Sequence, residues 1–285
     1  MSRGTYYTKH LDETLKKGVY ETGVGYDFLY KHSTTKDPEF DIGDRVCLPD
    51  GRVFRYAKAY SGMTFTSMKM AMCNISQLVA EYTSPSCVPT SAIAVGDRSA
   101  AFTVTAASIG VDRNGVIAKD ELKGGYISFY GSSSYRPQRG IVGNSALANT
   151  GTSITIYFDA ALDTAIAASS KTEIMANPYS RVTNATDVSS GHSAWLGMAV
   201  VVPAVSEYFW IQTWGIFRIT PQGAGVGTDP QIRDYMFASN GGIRNSYASI
   251  VTEALSEQHA GFLMDYPVNS EAEDAAPFIN LQINP

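Results

Sequence analysis

The sequence predicts an all-β chain, mainly antiparallel, folded as a sandwich or barrel, with an extended N-terminal arm and at most short helices. Three observations carry this expectation. Short runs alternate apolar and polar residues, most cleanly in Ile154-Thr-Ile-Tyr-Phe-Asp159, which puts Ile154, Ile156 and Phe158 on one face and Thr155, Tyr157 and Asp159 on the other. Such runs recur at close intervals with Gly, Asn and Pro between them, the punctuation of a sandwich or barrel and not of repeated strand–helix–strand units. The densest aromatic and β-branched run, residues 207–220, holds Trp210 and Trp214, two of the three tryptophans.

Taken in order, residues 1–44 are polar and mixed in charge. Leu11–Lys17 has the composition of one or two helical turns, and Tyr26, Phe28 and Tyr30 form an aromatic cluster. This stretch reads as an extended arm that is ordered by partners through those three aromatics, ahead of a β-rich domain over 45–285. Asp50-Gly51 is a hairpin-turn signal, followed by a strand over 52–58. Residues 64–80 fit strand or helix equally: Met68, Met70 and Met72 have period 2, whereas Met72, Ile75, Leu78 and Val79 suit a helix.

Strands are expected at 101–105 and at 124–131, with Ile127 and Phe129 inward, and the latter has a hairpin partner at 135–142. Further strands are expected at 154–159 and 171–175, the second ended by Asn177-Pro178. Residues 181–194 read as an exposed loop. A buried strand over 196–205 pairs with 208–220. Residues 221–230 read as a Gly-rich loop within a long loop insertion at 221–260, where 232–255 remains ambiguous and 245–255 has helical composition. Strands over 259–266 and 278–283 flank an acidic loop at 269–274.

Alternation divides the 207–220 run into two faces. Phe209, Ile211, Thr213, Phe217 and Ile219 form an apolar face suited to a core. Tyr208, Trp210, Gln212, Trp214, Ile216 and Arg218 form an aromatic face with polar tips, a composition enriched where protein surfaces meet. Two greasy faces mark a strand that is central in a sandwich or that lies at a subunit contact. Tyr208, Trp210, Trp214 and Arg218 are therefore the candidate interface residues, together with Tyr26, Phe28 and Tyr30 of the arm.

Composition narrows the function. The chain has 285 residues, enough for one large all-β domain or two small ones. Charged residues make up 17%, below the usual quarter, so much of the surface is uncharged, as in a protein that buries surface on partners. Net charge is −5 with no long basic run, which argues against nucleic acid as a main partner. Cys47, Cys73 and Cys87 show no CxxC spacing and read as reduced thiols of a chain assembled in a cytoplasm. No signal-peptide core and no membrane-length apolar run is visible.

The search for chemistry finds little. There is no GxSxG, and His10, His32, His192 and His259 are scattered with no short-spaced partner ligand for zinc. Asp159 and Asp163 qualify as a glycosidase pair by position alone, and a strand end and a turn account for them more simply. Gly223-Ala-Gly-Val-Gly227 lacks the Lys-Ser/Thr of a P-loop, and Glu271-Ala-Glu-Asp274 reads as a solvated loop. No cofactor, metal or catalytic activity is expected.

Four pieces in order, Asp50-Gly-Arg-Val-Phe-Arg-Tyr-Ala57, Gly124-Gly-Tyr-Ile127, Ala176-Asn-Pro-Tyr179 and Tyr208-Phe-Trp-Ile-Gln-Thr-Trp-Gly215, resemble the capsid decoration, or cement, proteins encoded in the head-gene region of tailed bacteriophages. The likeness spans 45–285; the arm is unmatched, and the Met-rich segment and 221–260 depart from it. The resemblance implies a β-rich virion structural protein, commonly a homotrimer, assembled in the host cytoplasm. Such a protein binds the outside of the major capsid lattice and stabilises it. Its partners would be the major capsid protein and copies of itself, with no direct nucleic acid and no membrane. Two other readings stand beside this one: a tail or head-fibre adhesin binding host glycans through Tyr135 or Trp195, and a carbohydrate-active enzyme on a β scaffold.

Overall fold

A computed structural model of the chain describes residues 26–60, 71–73, 87–104, 116–130, 136–148, 150–184, 194–219, 233–237, 242–245, 258–265 and 277–285. The expectations for Leu11–Lys17, Tyr135, 221–230, a helix over 245–255 and the acidic loop at 269–274 lie outside these residues, as do most of 64–80 and of the 181–194 loop. Among the described residues the chain is all-β. It has sixteen strands paired antiparallel, and 3-10 turns at Tyr26–Tyr30 and Pro178–Ser180.

The β-rich region divides into two compact units, one made of Met1–Cys73 with Val182–Pro285 and the other of Asn74–Arg181. Neither boundary falls at the arm–domain junction expected from sequence. The first unit begins with β1 (Arg45–Cys47), β2 (Val53–Lys58) and β3 (Ala71–Cys73). The second contributes β4 (Cys87–Pro89), β5 (Ser99–Val104), β6 (Tyr126–Tyr130), β7 (Gln138–Asn144), β8 (Ser153–Phe158) and β9 (Lys171–Met175). The chain then re-enters the first unit with β10 (Val182–Asn184), which pairs with β3, followed by β11 (Trp195–Ala199) and β12 (Tyr208–Arg218). It ends with β13 (Asp234–Phe237), β14 (Ile243–Asn245), β15 (His259–Asp265) and β16 (Phe278–Gln282).

The unit over 74–181 is a single sheet in the order β4-β5-β8-β7-β6-β9 that curls into a nearly closed barrel. At the seam the Thr172 hydroxyl of β9 donates to the Cys87 carbonyl of β4 at 2.7 Å. The alternation expected from sequence holds: Ile154, Ile156 and Phe158 of β8 and Ile127 and Phe129 of β6 face a core where the rings of Phe102, Phe129 and Phe158 meet at 5.6–6.4 Å. Burying such aromatics removes large apolar areas from water, the main favourable term in folding. Asn144, fully buried, organises the 117–125 turn. Its side chain accepts from the Leu122 N–H at 2.8 Å and donates to the carbonyls of Ala118 at 2.9 Å and Ser145 at 2.8 Å.

In the first unit β12 is the spine. Ile211 lies between Ala199 of β11 on one edge and Arg55 of β2 on the other, and beyond it Trp214–Arg218 pairs with β16. The sheet runs β10-β3-β11-β12-β16-β15-β13-β14, with β2 carrying β1. Asp50-Gly51 makes the expected β1–β2 turn, with Gly51 at φ +86°. The region 221–260 is not one long loop: β13, β14 and the start of β15 lie in it and join the main sheet. Their apolar residues supply Tyr235, Phe237, Ile243 and Ala260 to a core shared with Ile219, Ile279 and Leu281.

Residues 26–44 do not form an arm ordered by partners. Leu29 and Phe40 are buried in the first unit's own core with Val46, Leu48, Phe54, Tyr56 and Trp210. The segment is tied to β12 by reciprocal backbone bonds between Ser33 and Tyr208, at 3.1 and 2.8 Å. Beside them Glu207 accepts from the Ala204 N–H at 2.6 Å and lies 2.6 Å from His32 Nδ1. The Ala204 hydrogen bond holds the Glu207 carboxyl below its ordinary pKa; burial opposes this, and His32 reinforces it. An apolar aromatic cluster next to a long aromatic strand removes more surface from water by folding onto that strand than by staying extended.

Candidate interaction face

The expected alternation of 207–220 holds for the apolar face but breaks on the aromatic one. From Tyr208 to Thr213 both faces of β12 are covered by the chain itself. Trp210 is 2% exposed, with the rings of Phe40 at 4.9 Å, Tyr56 at 5.0 Å and Phe28 at 5.7 Å. Tyr208 is half-buried and stacks on Tyr56 at 5.9 Å. Trp210 is therefore core and not an interface residue, because residues 26–40 lie over the face left open by sequence reasoning. Of the arm aromatics, Phe28 stacks on Phe40 at 5.9 Å and Tyr26 packs at the edge of the same cluster, while Tyr30 is half exposed. They anchor the segment to its own chain.

A β-bulge then changes the strand. Gln212 pairs with Phe54 and Trp214 with the adjacent Val53, so Thr213 is the extra residue. Thr213 is fully buried and donates from its hydroxyl to the Asn284 carbonyl at 2.6 Å, which ties the C-terminal segment to the spine. The Gln212 side-chain amide donates to the carbonyls of Trp214 at 3.1 Å and Ile216 at 3.0 Å. Gly215 follows at φ +88°, and a Cβ there would stand 3.0 Å from the Arg52 Cα. Past this point Trp214, Ile216 and Arg218 turn outward while Phe217 packs on the inner core.

The register of β12, β16, β15 and β13 extends that outward row across four strands. Ile216 pairs with Asn280, Asn280 with Phe262, and Phe262 with Asp234. Arg218 pairs with Phe278 in the next row, beside Met264, the extra residue of a bulge in β15. Directly paired residues share a sheet face. Ile216 is 51% exposed, Phe278 49%, Met264 48% and Phe262 39%, so one continuous sheet face presents four large apolar side chains to solvent. Half-buried Trp214 borders it, with Arg218 at the β12 flank. At the opposite flank Asp234 is paired with His259 at 2.5 Å. Clustered exposed apolar residues rimmed by polar ones mark interaction surfaces, whereas single ones do not.

Of the residues expected at an interface, this face keeps Trp214 and Arg218 and excludes Tyr208, Trp210, Tyr26 and Phe28. Sequence reasoning missed Ile216's neighbours Phe262, Met264 and Phe278. The signal was present: Phe262-Leu-Met264 and Phe278-Ile279 place large apolar residues on both faces of a strand, the same criterion that singled out β12.

Trp195, expected as an exposed glycan contact, is buried and packs on Phe237 at 5.5 Å. In the barrel, the exposed Tyr126 and Tyr157 each stand opposite a glycine, Gly140 and Gly143, where an aromatic covers backbone that has no side chain of its own. Asp163 lies 3.2 Å from Arg139 and, with Asp159, belongs to the turn after β8. Among the described residues no three His, Cys, Asp or Glu side chains come together as a metal site. Comparison with protein-family models, with curated proteins and with solved structures found no match.

Proposed function

We propose that this chain is a structural protein of a tailed-phage particle that binds the outside of the major capsid lattice, together with copies of itself, and stabilises the shell. The observation that supports this reading is the exposed apolar sheet face of Ile216, Phe262, Met264 and Phe278, which has the character of a surface meant to be covered. The identity of the partner rests on the four ordered segments that resemble decoration proteins. The mechanism is mass action. A ligand that binds the assembled lattice and not its dissociated parts stabilises assembly, by about 2.7 kcal/mol per site at a hundred times its Kd.

Quantitative mass spectrometry of purified particles tests the reading, paired with co-sedimentation against assembled shells and free capsid protein. Many copies per particle at fixed stoichiometry, with binding to shells only, is the expected result. A chain missing from purified particles would overturn the reading, and an isolated protein that binds host glycans would favour an adhesin.

A further inference from the structure

We infer that Arg45 and Arg55 form a binding site for an oxyanion, a carboxylate or phosphate group, on β1 and β2. The site is distinct from the exposed face of β12, β16 and β15 and does not depend on the decoration reading. Arg45 stands directly opposite Arg55 in the antiparallel pair. The Leu48 N–H donates to the Arg52 carbonyl at 2.8 Å and the Tyr56 N–H to the Asp44 carbonyl at 2.9 Å. Hydrogen-bonded pairs therefore fall at Leu48–Arg52 and at every second residue from there, which leaves Arg45–Arg55 between them. At such a position the Cα atoms lie about 4.5 Å apart and the side chains come closest. Alternation puts both arginines on the face opposite Val46, Leu48, Phe54 and Tyr56, which are buried around Trp210. Two like charges held directly opposite repel each other.

Arg55 is fixed in place by bonds to the Gly43 carbonyl and to Asn284 Oδ1, both at 3.2 Å. Both acceptors are neutral, so these bonds orient the guanidinium without neutralising it. Arg45 is partly exposed, yet its Nε is enclosed by the protein and has no acceptor. An enclosed donor without an acceptor is rare in folded proteins and marks strain, a water or an ion. The second cation opposite favours an anion over water, because an anion satisfies the donor and offsets the repulsion as well. Guanidinium groups present forked donors that match two oxygens of a carboxylate or phosphate. The carboxylates nearest in sequence are engaged elsewhere: Asp44 lies on the other face by alternation and accepts from the Asp41 N–H, and Asp41 holds Lys36 at 2.7 Å. Among the described strands β1 pairs with β2 alone, so its outer edge gives a ligand access to Arg45.

The test is nuclear magnetic resonance of arginine Nε–H groups on the full chain, titrated separately with inorganic phosphate and with acetate at constant ionic strength. Phosphate also stabilises folded proteins in general, so the resonance and not the melting temperature is the readout. The Arg45 resonance should shift in a saturable, one-site manner with at least one of the two anions. A response to acetate assigns the site to carboxylates, such as an acidic side chain of a partner protein; a response to phosphate alone assigns it to phosphate groups. Arg45→Gln removes a charge-assisted bond and should weaken binding at least about tenfold, read on the Arg55 resonance. Arg136→Gln removes the same charge from the other unit and should leave binding unchanged. The inference is overturned if neither anion moves the Arg45 resonance at about 50 mM, well above the millimolar Kd of a weak site. It is overturned too if a folded Arg45→Gln binds as tightly as the unmodified chain, or if Arg136→Gln weakens binding as much as Arg45→Gln does. The titration of the unmodified chain is decisive whether or not Arg45→Gln folds.

Discussion

Trp210 meets Phe40 edge to face, with ring centroids 4.9 Å apart and planes at 84°. This contact joins the segment before β1 to the start of β12, so it is a test of whether residues 26–44 belong to the fold. Trp210→Ala should cost about 3–5 kcal/mol, the range for truncating a buried large aromatic. A double-mutant cycle with Phe40→Ala should show coupling of roughly 0.5–1.5 kcal/mol. Chemical denaturation of the four proteins measures both. Trp214→Ala, four residues on and half-buried, should cost much less in the same experiment.

Gly215 should not tolerate a side chain. Its φ of +88° strains any L-residue, by about 1–2 kcal/mol, and a Cβ would press on the Arg52 Cα at 3.0 Å. Gly215→Ala is expected to lower the melting temperature of the first unit's transition, and Gly215→Val more so. Thermal melting followed by near-ultraviolet circular dichroism checks this, since Trp210 and Trp214 lie close to the position along the same strand.

Glu207 makes the attachment of residues 26–44 acid-sensitive. Its folded pKa lies below the ordinary 4.5, chiefly through the Ala204 N–H, with His32 adding to it and burial opposing it. A carboxyl with a depressed folded pKa contributes stability that is fully present above the unfolded value. That stability is lost as pH falls through the folded value. Exchange protection of the Ser33 and Tyr208 amides should therefore be independent of this group near neutrality and fall below about pH 4.5, once the intrinsic exchange rate is divided out. Glu207→Gln should remove that acid step and leave weaker protection throughout.

Cys87 should be inert while the barrel is folded. Desolvation pushes its thiol up to about 11, only partly offset by Thr172. At pH 8 that leaves about one thiolate per thousand, and the thiolate is the reactive species. Alkylation with iodoacetamide followed by peptide mapping should modify Cys87 only in denaturant, whereas the partly exposed Cys47 should react in the native protein.

Much of the β architecture was legible because a strand writes its two faces into the sequence with a period of two. Ile154, Ile156 and Phe158 could be placed inward, and so could Ile127 and Phe129, because the sheet that holds them has one covered face and one wet one. Asp50-Gly51 was legible for a similarly local reason: the turn needs positive φ at the glycine. The antiparallel pairing expected of 196–205 with 208–220 followed from their adjacency along the chain; it forms between 195–199 and 208–218, while 200–205 leaves the strand and exposes Val202 and Val205.

What alternation cannot say is what covers a face, because that depends on segments far away in the chain. Trp210 and Ile216 lie on the same expected face of one strand. Phe40, some 170 residues earlier in the chain, buries the first, and the second is left open to solvent. The bulge at Thr213 depends on Val53 and Asn284, both distant in sequence, and it is what turns the strand from covered to open. The exposed face is likewise assembled from β12, β15 and β16, whose register is a property of the sheet and not of any one run. Composition and period determined that this chain would be made of strands; only tertiary packing decided which of its aromatic residues became core and which were left open to solvent.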